Sequence, residues 1–473
     1  MIHPSVPSIV FESQALLSIV LHLAIASAVT VHVLMSKRDV PAAIGWIGLA
    51  WLSPFFGASI YLAFGINRVK RRARRLRDAV PRVKRQETEG ANSPITPLNR
   101  AIAKITGQAL EAGNIVVPLQ CGNEAYPQML DAIESSKLFV MLSSYIFRDD
   151  EIGQKFIAAL ASAHERGVMV RVLIDGFGGG FFRSTAYRDL RRRGVMAARF
   201  LHSTLPWKIP LLNLRLHKKV LISDGRVAFV GGLNIGAENL IGFRRRAPVQ
   251  DIHFRIEGPV IEQLVADFRD DWLFMTSERL DGPLSSIEYP SRGRAFARTI
   301  PAGPDQDVDQ LVLVLLSAIN SARSSVRIAT PYFLPDEQLI TALQLAALRG
   351  VDVRLVIPAK NDHWLIACAE PAHIGPLLDS GCRIWLGPAP FDHSKVVTID
   401  NEWCLIGSPN WDFRSLRLNF ELAMEICDTF QATELAALVD RKCTVALTAG
   451  DLSNRRFIKK LRDQAVRLLI PYL

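Results

Sequence analysis

The strongest constraint on the fold is that part of the sequence occurs twice. Residues 216–236, LHKKVLISDGRVAFVGGLNIG, and residues 392–412, DHSKVVTIDNEWCLIGSPNWD, align without a gap at an offset of 176. His217 matches His393, Lys219 matches Lys395, Asp224 matches Asp400, Gly231 matches Gly407 and Asn234 matches Asn410. A second echo lies upstream. Residues 143–175 and 329–358 both read as strand, loop, helix, an Arg-Gly stop and a Val-rich strand. The repeated unit is therefore α/β and roughly 170 residues long, a duplication of two lobes; a solenoid repeats at a much shorter period.

Each copy carries the pattern HxKxxxxD. Residues 220–223 are strand-like, Asp224-Gly225 is a hairpin turn signal, and Asp400-Asn401 occupies the same place in the second copy. A two-residue loop predicts His217 opposite Asn234 and Lys219 opposite Gly232. It likewise predicts His393 opposite Asn410 and Lys395 opposite Ser408. Residues two apart share a strand face, so His, Lys and Asn of each hairpin are expected in one polar cluster. The aspartates fall at the turns, where pinning the structure is the expected role. Two histidines, two lysines and two asparagines, without a carboxylate cage for Mg²⁺, suit metal-independent phosphoryl chemistry. A neutral imidazole can attack phosphorus, and a protonated one can supply the leaving alkoxide with a proton. Lysine and asparagine can hold the phosphate oxygens.

Such histidines need an acceptor on the other ring nitrogen. Asp251 in QDIHFRI and Glu421 in NFELAMEI stand 34 and 28 residues after their histidines and are expected to supply it; the plainer alternative is a surface acid on a strand. Tyr145, Asp150, Tyr332 and Asp336 end cognate strands near the expected site mouth, with Asp150 and Asp336 read as helix N-caps.

The N-terminal region is of another kind. Residues 13–35 and 41–66 are charge-free runs of 23 and 26 residues, each long enough to cross a bilayer. They are expected to form a transmembrane hairpin with a kink at Pro54; a single span plus a re-entrant second helix is the alternative. Ten of the twenty residues from 67 to 86 are Lys or Arg, against one acid, Asp78. This segment, at +9, accounts for nearly all of the net +10. The positive-inside rule then places the N-terminus and everything after Ile66 in the cytoplasm. The rest of the chain, near neutral, argues against a nucleic-acid groove. The six cysteines show no zinc-ligand spacing and read as free thiols. Trp207 is either a lipid-dipping lid or part of a packed loop. The basic-apolar stretch from Arg455 to Leu469 is either an interfacial helix or one packed on the body.

The paired HxKxxxxD motifs with downstream Gly-x-x-Asn resemble the phospholipase D superfamily. Over essentially its full length the chain is similar to the bacterial cardiolipin synthase family, notably in YIFRDDEIG, GVMVRVLIDGFG, DIHFRIEGPV and GSPNWDFRSLRLNFEL. The resemblance implies two pseudo-symmetric α/β lobes sharing one active site behind an N-terminal two-helix transmembrane hairpin. The implied divisions are 1–66 for the hairpin, 67–112 for a basic linker, and 113–288 and 289–473 for the lobes. It implies transfer of a phosphatidyl group through phosphohistidine, with two phosphatidylglycerols giving cardiolipin and glycerol. The implied catalytic set is His217, Lys219, Asp224, His393, Lys395 and Asp400, with His217 as nucleophile and His393 as general acid. Asn234, Asn410, Ser408, Asp251 and Glu421 are expected in support. No metal or cofactor is implied. The expected partners are phosphatidylglycerol and anionic lipids, and the expected location is the bacterial inner membrane, multi-pass, with the catalytic body cytoplasmic. Other acceptors, giving a phospholipase D or a phosphatidylserine synthase, remain alternatives; a membrane-tethered nuclease is a more distant one. One departure is that the basic run usual before the first His is NLRLHKK here, with one basic residue replaced by Leu214 or Leu216, depending on register.

Overall fold

The structure is a computed structural model describing residues 6–36, 40–65, 97–180, 184–201, 214–242, 247–280, 284, 287–303 and 309–468. The chain divides into two units, residues 1–72 and 73–473. The linker at 37–39, the basic run after Ile66, Trp207 and Leu469 lie outside the described residues.

In the first unit one long helix runs over Val6–Ser36. Its stretch Leu16–Ser36 is long and apolar enough to cross a membrane. The expected second span is not one helix. It is Val40–Leu52, then Pro54–Ile60, then a π turn at Tyr61–Gly65. Proline has no N–H to donate and its ring crowds the carbonyl four residues back, so Ser53 leaves the helical backbone at φ −149°. Val29 and Val33 of the long helix still pack with Ala50, Ala58 and Tyr61. Trp51 Nε1 donates to Thr30 Oγ1 at 3.0 Å.

In the second unit fifteen strands form one mixed sheet flanked by helices. The first lobe is ordered Glu111–Gln120, Ile252–Glu257, Val227–Gly231, Val220–Ser223, Phe139–Ser144, Met169–Asp175, Met196–Phe200. The second repeats that order as Ala295–Ala302, Glu421–Cys427, Trp403–Gly407, Val396–Ile399, Ser325–Ala329, Asp352–Pro358, Arg383–Gly387, and adds Val445–Leu447 at its edge. The halves join where Glu111–Gln120 pairs antiparallel with Ala295–Ala302. The last three cognate strands of each half are parallel and need a crossover. The helix Glu151–Glu165 makes one, burying Ile152, Phe156, Leu160 and Ala163 at helical spacing. Asp150 caps it, accepting from the N–H of Ile152 and Gly153. Asp336 stands at the matching position but its side chain does not cap. It bonds Arg417 at 2.6 Å instead, so the expected cap is an ion pair.

The two motif hairpins differ from expectation by one residue. Ser223 pairs with Val227 and Ile399 with Trp403, so each loop has three residues, 224–226 and 400–402. Asp224 and Gly225 both take positive φ, as do Asp400 and Asn401. A one-residue slip changes every facing pair, and the paired strands begin at Val220 and Val396, leaving both His and Lys ahead of the ladder. The reason lies in the aspartates. The Asp224 carboxylate accepts from the N–H of Lys137, Leu138 and Phe139 at 2.8–2.9 Å. Asp400 accepts from those of Arg323, Ser324 and Ser325 at 2.8 Å. Each carboxylate ties its turn to the start of the neighbouring strand.

Asp224→Ala leaves three N–H groups without their acceptor. It should cost about 2–4 kcal/mol, read as a lowered unfolding midpoint of the purified protein. Asp224→Asn, which keeps one carbonyl oxygen, should retain part of that stability. An unchanged midpoint in both would show that the turn is held by something else.

Candidate active site

The segment carrying His217 leaves its own hairpin and pairs with the other lobe. Leu216 bridges Phe420 in parallel, His217 N–H donates to Phe420 O at 2.9 Å and Phe420 N–H to Arg215 O at 2.8 Å. The second copy mirrors this. Phe391–Asp392 pairs in parallel with Val249–Gln250, and His393 N–H donates to Gln250 O at 2.7 Å. In each case the residue after the bonded carbonyl is an acid. His217 Nδ1 therefore lies 2.9 Å from Glu421, and His393 Nδ1 lies 2.8 Å from Asp251.

This reverses the expected pairing. Asp251 and Glu421 are the acceptors, but each serves the histidine of the opposite lobe. The physical reason is register. Sequence distance places each acid on a strand of its own lobe, whereas the backbone exchange between lobes decides which imidazole it meets. The expected pairing of each His with the Asn of its own hairpin also fails, because each hairpin is shifted by one residue and each His lies ahead of its ladder. Asn234 Oδ1 accepts from Ile146 N at 3.1 Å, and Asn410 is buried with Oδ1 unbonded.

The lysines complete each half. Lys219 Nζ donates to His217 O at 2.6 Å. Lys395 Nζ bonds His393 O and stands 3.7 Å from Asp251. Tyr145 sits edge-on to His217, ring centroids 4.9 Å apart, with Lys219 Nζ 5.3 Å from its ring. Tyr332 stands likewise 6.2 Å from His393. Two lysines, two histidines and two carboxylates are thus buried together.

Burial sets the protonation of the group. It pulls His217 down to about 4; Glu421 opposes the shift and Lys219 and Lys395 add to it. His393 is lowered by burial and then by Lys395. Burial brings Lys219 down to about 7, with Lys395 adding and Glu421 opposing. Burial works against charge on Asp251 too, but Lys395 and the His393 bond outweigh it and hold its carboxyl below the ordinary value. Glu421 is held down in the same way by His217, Lys219 and Ser408. Both histidines are therefore neutral and both acids ionised near pH 7; the carboxylate beside each Nδ1 favours the tautomer with its hydrogen there and the lone pair on Nε2, while Lys395 Nζ also stands 2.7 Å from His393 Nδ1.

The two halves are not identical. Ser408 Oγ donates to Glu421 at 2.5 Å, and Asn419 Nδ2 donates to it at 3.2 Å. The cognate of Ser408 is Gly232, where an added Cβ would lie 2.2 Å from the Asp251 carboxylate. Sequence reasoning placed Ser408 opposite Lys395 as a supporting residue; in the structure its hydroxyl goes to Glu421. It missed Asn419, for which no spacing rule exists, and Asp175. The latter accepts Leu216 N–H at 2.7 Å and so anchors the residue before His217; its place at the end of a Val-rich strand was the available signal. All six cysteines are free.

Gly232→Ala should push Asp251 off His393, lowering the unfolding midpoint by the equivalent of about 1–3 kcal/mol, while Ser408→Gly should be milder because it creates no clash. Equal midpoints for Gly232→Ala and the parent protein would contradict the close approach.

With this geometry in view, three comparisons bear on the chain. The family model for the cardiolipin synthase, phospholipase D-like domain matches residues 129–272 and 315–443. A cardiolipin synthase of Geobacillus thermodenitrificans is 33% identical over 93% of this chain and 90% of its own length. Cardiolipin synthase 1 of Bacillus cereus is 30% identical over 93% and 91%. Among solved structures, a phosphatidylserine synthase of Haemophilus influenzae superposes with a TM-score of 0.61 at 15% identity, covering 80% of this chain and 100% of that one. At that identity the likeness is one of fold.

Proposed function

The chain belongs to the cardiolipin synthase family of phospholipase D-like enzymes, and from that premise we propose that it joins two phosphatidylglycerols into cardiolipin and glycerol. The observation that carries the mechanism is the pair of cross-lobe His–carboxylate bonds. They engage the Nδ1 side of two imidazoles that are buried in one cluster with Lys219 and Lys395.

In the proposed reaction His217 Nε2 attacks the phosphorus of the first phosphatidylglycerol. The P–O bond to the glycerol headgroup breaks, and the leaving alkoxide takes a proton from His393. The glycerol hydroxyl of the second lipid then attacks the phosphohistidine. It gives its proton to His393, and the P–N bond breaks to free His217. Lys219 and Lys395 offset the charge on the equatorial oxygens. An anionic phosphodiester beside these lysines also cancels part of the field that lowers His393, and so raises that imidazole toward the protonated form its role needs. Ser408 and Asn419 draw charge from Glu421, which favours a neutral His217 and supports it as the nucleophile. Asp224 and Asp400 hold the turns behind the site. For the first unit, we read the 6–36 helix and the broken 40–65 segment as a two-pass hairpin in the bacterial inner membrane, with the basic run and the catalytic body on the cytoplasmic side.

Purified full-length protein given phosphatidylglycerol alone should release glycerol and cardiolipin. Phosphatidic acid without cardiolipin would mean that water is the acceptor. His217→Ala should abolish turnover, and His393→Ala should cost about 10²–10⁴-fold while still allowing a trapped phosphoenzyme. A phosphoenzyme in His217→Ala but not in His393→Ala would reverse the two roles.

The pH dependence follows from the same groups. His217 acts neutral, so kcat/KM should fall as pH drops through about 4. Lys219 acts charged, so kcat/KM should also fall as pH rises through about 7. Lys219→Gln should lower the plateau and change the alkaline limb to the one set by His393, whose protonated form is also lost as pH rises and which burial and, to a lesser degree, the Lys219 charge hold down; a limb identical to that of the parent protein would show that Lys219 contributes nothing to it.

A further inference from the structure

The last helix, Phe457–Arg467, is turned the opposite way from a helix that completes a core. Its buried positions are Asp463 and Val466. Val466 packs with Tyr332, Leu334, Ile366, Cys368 and Ala369. Asp463 is paired with Arg455 at 2.9 Å and Arg462 at 2.7 Å. The large apolar side chains face outward: Phe457 is 76% exposed, Ile458 79%, Leu461 60% and Leu468 77%. At 3.6 residues per turn these four fall within one arc of roughly 100°, opposite the packed side. Lys460 and Arg462 flank the arc on its two edges. Trp364, on the neighbouring helix Trp364–Asp379, is also exposed, with the Arg462 guanidinium 5.8 Å from its ring centroid.

We propose that this face docks on an anionic lipid bilayer, with Phe457, Ile458, Leu461 and Leu468 entering the acyl boundary and the flanking cations meeting the headgroups. Charge decides the occupant. Residues 455–468 hold six basic residues and one acid, Asp463, which is already paired inward. A second copy of the same face would bring like charges together, whereas anionic headgroups neutralise them. The position gives the docking a use. Tyr332 lies in the same cluster as Val466 and also stands beside His393. One wall of the site is thereby held close to the lipid that supplies its substrate. The inference rests on the transferase reading for that use alone; the docking itself stands on exposure and charge.

The test uses the full-length chain in nanodiscs with a photoreactive benzophenone side chain at position 458. In phosphatidylglycerol discs the expected adduct is to lipid acyl chains, with a lower yield in discs of phosphatidylcholine alone. Lys460→Glu with Arg462→Glu should reduce it by at least about fivefold. Absence of a lipid adduct, equal yields in the two lipids, or cross-linking to a second copy of the chain would each overturn the proposal. A second readout is kinetic. Phe457→Ser with Ile458→Ser should raise the vesicle concentration giving half-maximal rate and leave turnover of a monomeric short-chain phosphatidylglycerol unchanged. Loss of both rates would point to a structural role instead. The cross-link needs no turnover, so failure of the transferase reading and failure of the docking are told apart.

Discussion

The interaction on which the rest of this structure depends is the exchange of carboxylates between lobes. His217 needs Glu421, and His393 needs Asp251. Buried polar groups are stable only when their partners are in place, and removing one partner leaves the full desolvation cost behind. Neither lobe alone can satisfy its histidine. The parallel contacts Leu216 with Phe420 and Asp392 with Gln250 exist at the two points where this exchange occurs. The continuous sheet, joined at Glu111–Gln120 and Ala295–Ala302, keeps the two contacts in register.

The exchange also bears on how a duplicated fold would run the asymmetric reaction we propose. Backbone symmetry gives each half a buried imidazole, a lysine and an ionised acid. The differences are small and sit on the acids. Glu421 receives Ser408 and Asn419, whereas Gly232 leaves room for Asp251 to approach closely. A carboxylate with more donors is a weaker base toward its imidazole. Two nearly identical halves thereby hold their acids differently, which is the kind of difference the proposed split into nucleophile and acid requires.

Much of the site was legible because it is repeated. His217, Lys219, Asp224 and their cognates stand at matched offsets, and the Asp-Gly and Asp-Asn turns are local chemistry that a sequence states directly. The strand–helix–strand units on either side were readable from periodicity. What failed was anything set by partners distant in the chain. The hairpin register slipped by one residue because the Asp224 and Asp400 carboxylates are claimed by backbone N–H groups nearly ninety and eighty residues away. Ser408 was expected in support, but that its partner is Glu421 was not readable, and Asn419 was invisible until Glu421 had a place.

The sequence by itself determined the two-lobe α/β plan, the residue types of the candidate site and the apolar N-terminal segment, because repeat spacing, turn chemistry and hydropathy are local properties. The tertiary structure decided which acid meets which histidine, where the second apolar segment breaks, and that the apolar side of the last helix faces outward. Each of these depends on which surfaces are covered by chain elements far away in sequence, and burial of that kind has no local signature.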